Sequence, residues 1–183
     1  MKQDLKSMTM EELSAYISSL GEPKFRAKQI FQWLHKGVRT FSEMTDLPKY
    51  LQTKLEDDSF ITTLSVFKKF KSQLDDTVKY LFLLEDGNVI ETVAMKYQHG
   101  YSVCISSQVG CRMGCSFCQS TKNGLIRSLS AGEILDQIIR VQEDLNLRIS
   151  NIVMMGIGEP LDNFDEVLRF LKNVNEPIGI NIG

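Results

Sequence analysis

Three cysteines crowd into one short stretch, Cys111-Arg-Met-Gly-Cys115-Ser-Phe-Cys118, a C-x3-C-x2-C run in a segment rich in Gly and Ser. Three thiolates this close on a flexible backbone can converge on one inorganic centre, because cluster iron is held by cysteine sulfur. The number three is informative, since a [4Fe-4S] cube held this way keeps one iron open to a substrate or cofactor. A tetrahedral zinc ion would need a fourth ligand, Cys104 or His99, and zinc patterns usually come as two C-x2-C pairs, which this chain lacks. Three small buried side chains with no ligand are the plainest alternative, and their number and spacing argue against it. A second stretch, Met154-Met155-Gly156-Ile157-Gly158-Glu159-Pro160, follows a short apolar run. In α/β folds ligands sit beyond the carboxyl ends of strands, where glycines let backbone approach and a carboxylate can accept from an ammonium group. A tight turn with a solvated Glu would fit the same residues; its position on the strand after the cysteine segment favours the ligand.

The elements that must position these loops are legible in the pattern around them. Tyr101 to Ser106 reads as a strand feeding the cysteine loop. Ser130-x-x-Glu133 predicts a capped helix carrying Ile134, Ile138, Val141 and Leu145, and Asn151 to Met155 a short apolar strand. Asn163-x-x-Glu166 predicts the start of another helix through Val174. Strand, helix, strand, helix is the order of parallel βα units, so the second half is expected to be α/β. Residues 178 to 183 read as the approach to a third strand. Two βα units cannot close a barrel, which leads to the expectation that the chain stops inside a domain.

The first half differs. Thr9 and Glu12 form a T-x-x-E capping box before Leu13, Tyr16, Ile17 and Leu20, and Gly21 ends that helix. A second helix is expected from Pro23 to Gly37, carrying Phe25, Ile30, Phe31 and Leu34 toward a core. Lys24, Arg26, Lys28, Lys36 and Arg39 give it a positive side with no acid between them. Trp33 reads as core or interface, and neither His35 nor His99 carries a motif. Asp46, Pro48, Leu51 and Leu55 suggest a third helix. From Ile61 the period changes: Val78, Tyr80, Phe82 and Leu84 alternate, Asp86-Gly87 is a hairpin turn, and Val89 to Met95 returns as the partner strand, giving a hairpin over 77–96.

Composition narrows the classes. The 183 residues are 43% hydrophobic and 24% charged with a net charge of −2, so the chain can bury a core and is not a globally basic nucleic-acid-coating protein. No apolar run approaches the roughly 20 residues of a membrane span, the first residues hold no signal core, and four cysteines in this spacing are no secreted disulfide framework. A cytoplasmic protein is the expectation.

Together these residues resemble the radical S-adenosylmethionine (SAM) superfamily. Val103-Cys104-Ile105-Ser106-Ser107-Gln108-Val109-Gly110-Cys111, then Cys115-Ser116-Phe117-Cys118, then MMGIGEPLDN, are similar to the RlmN-type adenine-C2 RNA methyltransferases, along essentially the whole chain. The resemblance implies a partial radical SAM (βα) barrel preceded by a small helical accessory domain and a β-hairpin. Residues 1–60 would be the RNA-binding accessory domain, 61–96 the connecting hairpin region, and 97–183 the first part of the core domain. It implies that Cys111, Cys115 and Cys118 ligate a [4Fe-4S] cluster whose open iron chelates S-adenosyl-L-methionine, with Gly158 and Glu159 contacting that cofactor. Glu91 would be the proton acceptor and Cys104 the cysteine that resolves a covalent RNA adduct through a transient disulfide, its methyl-carrying partner lying beyond this chain. The substrates implied are 23S rRNA and tRNA, methylated at C2 of adenine through a methyl-cysteine intermediate. A protein such as flavodoxin or ferredoxin would be the reductant, and the protein would be a monomer.

Read without the resemblance, Glu91 is a solvent-facing residue on a hairpin strand and Cys104 a small buried hydrophobe. Pro160 favours the C2 type over the related C8-specific Cfr type, which tends to carry Ala after Gly-Glu. The basic residues Lys24 to Arg39, with Lys68, Lys69 and Lys71, fit an accessory domain gripping phosphates, while the target base must be unstacked to react. This chain by itself is expected not to turn over. A zinc- or cluster-stabilised RNA-binding module without catalysis is the competing expectation from a different class.

Overall fold

A computed structural model describes residues 2–182. The chain opens with a two-residue strand, β1 (Gln3–Asp4), and a 3-10 turn over Leu5–Ser7. Helix α1 (Met10–Ser19) starts on the expected capping box, with Glu12 N donating to Thr9 Oγ1 and Thr9 N to Glu12 Oε2. Helix α2 (Phe25–Lys36) ends where Gly37 turns left-handed at φ 92°. Ala27, Ile30, Phe31 and Leu34 form its buried stripe, but Phe25, expected to point inward, is 56% exposed. Five residues before Ile30, it falls off that stripe in a 3.6-residue turn. Helix α3 (Lys49–Asp58) starts after Pro48 rather than on Asp46, whose carboxylate instead accepts from Trp33 Nε1 at 2.6 Å and Gln29 Nε2 at 3.0 Å. Strand β2 (Ser59–Phe60) pairs in parallel with β1 and closes this helical unit around Leu5, Leu13, Ile17, Phe31, Leu51 and Leu55.

A five-stranded sheet follows. Its members are β3 (Ser65–Lys71), β4 (Val78–Leu83), β5 (Val89–Tyr97), β6 (Gly100–Cys104) and, after an excursion, β9 (Ile149–Val153). They lie in the order β3-β4-β5-β6-β9, antiparallel until the last pair, β6 and β9, which is parallel. The hairpin turn at Asp86-Gly87 is as expected, and strand pairing runs on from it without a break into β6. The excursion is a two-stranded ribbon of β7 (Gln108–Gly110) and β8 (Leu125–Ser128) with the cysteines between them, followed by helix α4 (Ala131–Leu145). Tyr80, Phe82, Ile90, Ala94 and Val103 alternate onto one face of the sheet and share a core with Ile134, Leu135 and Ile138 of α4.

Helix α5 (Phe164–Asn175) follows a 3-10 turn over Pro160–Asn163. Asn163 does not cap it. The residues expected to begin a third strand turn instead at 177–180, and Ile182 N donates back to Val174 O at the end of α5. Pro177 ends helical propagation and Asn181 sits at φ 49°, so this backbone bends onto α5 and finds no sheet neighbour. Gly183 lies outside the described residues. No helix is long and apolar enough to cross a membrane among the described residues.

The helical unit and the sheet layer are joined by buried polar groups. Asp136 on α4, fully buried, accepts from Lys6 Nζ at 2.6 Å, from Leu64 N at 2.7 Å and from Arg140 Nε at 3.3 Å, and Arg140 in turn donates to Gly37 O at 2.6 Å. Nearby, buried His35 stacks on Phe31 and accepts through Nδ1 from Ile180 N at 3.2 Å. Burial, reinforced by the Lys6 charge, pushes its pKa down to about 3. An unfolded histidine titrates near 6.5, so below that pH the unfolded chain takes up a proton that the folded chain refuses. Stability from this source is complete above about pH 6.5 and is lost as pH falls toward 3. Between pH 7 and pH 5 the loss is about 2 kcal/mol. A His35→Gln variant, which keeps an acceptor for Ile180 N, should lose that much less than the parent chain when urea unfolding is compared at the two pH values.

Candidate active site

The cysteine loop and the Gly-Glu loop are built against each other by backbone contacts at the carboxyl ends of β6 and β9. Gly156 N donates to Ile105 O at 3.0 Å, and Ile157 O accepts from Ser107 N at 2.9 Å and Gln108 N at 3.2 Å. The glycines are required there. A Cβ at Gly156 would stand 2.6 Å from Ile105 O, and one at Gly158, whose φ is 104°, would stand 2.6 Å from Gln108 Cβ. They serve the approach of the loop to the chain's own backbone, a closer demand than the ligand approach expected of them. Beside Gly158, Ser107 Oγ is buried without a hydrogen-bond partner.

Side chains tie the two loops further. Gln108 accepts from Glu159 N at 3.0 Å and donates to Asp162 at 2.9 Å, and Arg112 within the cysteine loop donates to the same carboxylate at 2.8 Å. The bonds from Gln108 and Arg112 hold the Asp162 carboxyl below the ordinary carboxylate range. Asn163, read as a helix cap from its spacing to Glu166, instead donates to Ser107 O at 2.9 Å and Leu129 O at 2.8 Å, pinning both feet of the ribbon. Glu166 accepts from Ala131 N, at the start of α4. The contacts that Gln108, Arg112, Asp162 and Asn163 make here were not legible from local spacing, because their partners are distant in sequence.

Cys111 is buried, Cys118 half-buried and Cys115 exposed, and all four cysteines are free. Cys111 N donates to Gly124 O at 3.0 Å, and Cys118 N to Cys115 O at 3.0 Å, so the loop is closed at its base and turned at its tip. Among the described residues no three His, Cys, Asp or Glu side chains gather at the spacing of a single ion. His99, raised as a fourth zinc ligand, lies in the β5–β6 turn, about 15 Å of strand from the end of β6 that feeds the cysteine loop. Three cysteine sulfurs on a short loop, with one exposed, suit a polynuclear iron-sulfur centre, where each sulfur takes a different iron.

Glu91 and Cys104 occupy the sheet face away from α4. Cys104 pairs with Val93 across β5–β6, and Glu91 stands two residues from Val93 on the same face. Glu91 is half-exposed and ion-paired to Lys79 at 2.6 Å. Burial pushes the Cys104 thiol up, opposed by a backbone hydrogen bond from Met155. The basic helix is less free than its sequence suggests: Arg26 donates to Gln29 and to Asp46 O, and Arg39 pairs with Glu143, leaving Lys24, Lys28 and Lys36 outward. Lys68, Lys69 and Lys71 all stand exposed on β3, with Lys69 paired to Asp144.

A parallel strand pair at the sheet end, carrying a three-cysteine loop against a Gly-Glu loop, is the arrangement that the resemblance to radical SAM proteins implies. Residues 105–182 match the radical SAM superfamily, and residues 3–61 match the ribosomal RNA large subunit methyltransferase N-terminal domain. The chain is 57% identical over 182 residues to a probable dual-specificity RNA methyltransferase RlmN of Alkaliphilus oremlandii, covering 100% of this chain and 53% of that protein. To the protein of the same name in Alkaliphilus metalliredigens it is 58% identical, covering 100% and 52%. The crystal structure of a radical SAM methyltransferase from Sphaerobacter thermophilus superposes with a TM-score of 0.89 at 37% identity, over 99% of this chain and 54% of that one. The chain spans about half the length of the curated relatives it matches, and along its own whole length it is similar to RlmN-type radical SAM proteins.

Asn163→Ala should expose the weakness of this construction, since two buried carbonyls lose their donor. The expected cost is about 1–3 kcal/mol in urea unfolding, with faster amide exchange concentrated at Ser107 and Leu129. An unchanged exchange pattern would assign Asn163 no part in holding the ribbon.

Proposed function

We propose that Cys111, Cys115 and Cys118 hold a [4Fe-4S] cluster, that Gly158 and Glu159 bind S-adenosyl-L-methionine, and that the whole protein methylates C2 of adenine in 23S rRNA and tRNA. The mutual clamping of the cysteine loop and the Gly-Glu loop, through Gly156, Ile157, Gln108 and the Arg112–Asp162 pair, is the observation that supports this most directly. The cluster, when bound, supplies the electron for reductive cleavage of the cofactor, delivered by a reductant protein such as flavodoxin or ferredoxin. In this reading residues 97–183 are the first part of a barrel, and residues 1–60 bring RNA to it.

The remaining work belongs to side chains on the sheet. Methylation of an aromatic carbon must release a proton from that carbon, and the Glu91 carboxylate accepts it. Lys79, 2.6 Å away, pairs with that carboxylate and orients it on the open face. Cys104, on the next strand and in the adjoining row of the same face, is the thiol that resolves the RNA adduct, its attack requiring the thiolate. Pro160 fixes the first position of the 3-10 turn after Glu159 and supports the C2 over the C8 type.

Anaerobic reconstitution tests the cluster. The chain should bind about four iron and four sulfide. Alanine at Cys111, Cys115 or Cys118 should abolish incorporation, whereas Cys104→Ala should retain it, and Glu159→Ala should retain the cluster while weakening the change that the cofactor causes in its electron paramagnetic resonance spectrum. Equal iron loss in the Cys104 variant would make Cys104 a ligand and defeat the assignment.

A further inference from the structure

The sheet face that carries Glu91 and Cys104 extends two strands beyond them. Phe70 on β3 pairs with Lys79, Lys79 with Val93, Val93 with Cys104, and Cys104 with Val153, so five side chains form one row straight across the sheet. Directly paired residues share a face, which puts Phe70 in line with Cys104 at three strand spacings, about 14 Å. The adjoining row runs Lys68, Leu81, Glu91. Thus β3 ends both rows with an aromatic ring and an ammonium, and Lys68 Nζ lies 4.9 Å from the Phe70 ring centroid.

Nothing among the described residues accounts for that ring. Phe70 is 44% exposed and belongs to neither core, and its neighbour Phe67, 63% exposed, is the extra residue of a bulge between Val66 and Lys68. Lysines on an edge strand protect it from pairing with other chains, which explains Lys68, Lys69 and Lys71 but not two exposed phenylalanines among them. Bulges re-aim side chains beside functional sites. Lys69 is held by Asp144, whereas Lys68 has no carboxylate within ion-pair distance among the described residues. A free cation against an open aromatic ring is the arrangement that receives single-stranded nucleic acid, the ring stacking on a base and the cation meeting the adjoining phosphate.

We propose that Phe70 and Lys68 form a stacking station for the RNA strand that carries the target adenine, holding a base about four stacked nucleotides from the one presented to Glu91 and Cys104. The proposal rests on the reading of this protein as an RNA-modifying enzyme. Charge and continuity choose the occupant: the row is continuous with the candidate active site, and its free charge is positive. Unstacking the target base splays the strand, and a ring in register on the same sheet gives a base farther along it a stacking partner.

Fluorescence anisotropy of a short, labelled, adenine-containing single-stranded RNA, titrated with the reconstituted chain, tests this. Phe70→Ala should weaken binding roughly tenfold and Phe70→Trp should preserve it. Lys68→Ala should lower the slope of log affinity against log salt by about 0.7. Leu171→Ala, removing a comparably exposed apolar side chain on α5, should change affinity by less than about twofold. The inference is overturned if Phe70→Ala binds as tightly as the parent chain, if the parent chain binds no RNA, or if sedimentation shows that Phe70→Ala acts by dissociating a pair of chains that meet through β3. A chain that assembles a cluster but binds RNA independently of Phe70 would sink the station and spare the proposed function. One that assembles no cluster yet depends on Phe70 for RNA would do the reverse.

Discussion

A carboxylate buried at the middle of α4 must be answered from several directions at once, and Asp136 is answered by Lys6, Arg140 and the Leu64 amide. An unpaired charge in that position would cost several kcal/mol, so the three elements that supply the partners are not free to move apart. Lys6 brings the N-terminal segment, Leu64 the approach to the sheet, and Arg140 reaches Gly37 at the end of α2. The next residue extends the same constraint to the site. Gln137, also fully buried, accepts from Thr92 Oγ1 and Ser106 N and donates to Ser106 O, which fixes β5 against the exit of β6. Two adjacent polar residues on one helix therefore orient the helical unit on one side and the root of the cysteine loop on the other.

From that root outward the loops depend on backbone contacts rather than on packing. The cysteine loop has little apolar cover, with Met113 and Phe117 exposed, so its position is inherited from Gly110, from the ribbon of β7 and β8, and from the loop after β9. A side chain at Gly110 would meet Gly124 O at 2.1 Å, which makes the ribbon closure possible only for glycine at this φ of 74°. Hydrogen-bonded ends and an exposed middle would suit a loop whose thiolates adjust to an inorganic centre.

Sequence patterns conveyed the local structure well and the long-range structure poorly. The capping boxes at Thr9 and Ser130, the Asp86-Gly87 turn and the alternation of β4 all arise from contacts within a few residues, and each stands as read. The parallel pairing of β6 and β9 followed from the order of elements. Misreadings came where a residue had a distant partner that local spacing could not reveal: Asp46 serves Trp33, and Asn163 serves Ser107 and Leu129. The ribbon strand β8, short and set off by Gly124, was missed for the same reason, since Leu125 to Ser128 gain strand character only from β7. The three cysteines and the Gly-Glu pair were legible because their chemistry is compressed into a few residues.

Glu91 and Cys104 show what alternation alone could have told. Ile90, Thr92 and Ala94 face α4 and are buried, so parity assigns Glu91 and Val93 to the opposite face before any function is considered. Pairing Val93 with Cys104 then carries that face onto β6, and a slip of one residue in either hairpin would bury the carboxylate against Ile134 and Ile138. The burial of Thr92 against Gln137 guards against that slip, because its hydroxyl would otherwise turn to the open face and leave Gln137 Oε1 with one donor, Ser106 N, in place of two. Thus the register that stabilises the sheet is the one that aims the acid and the thiol to the same side. The polar contact enforcing it lies on the opposite face, against α4.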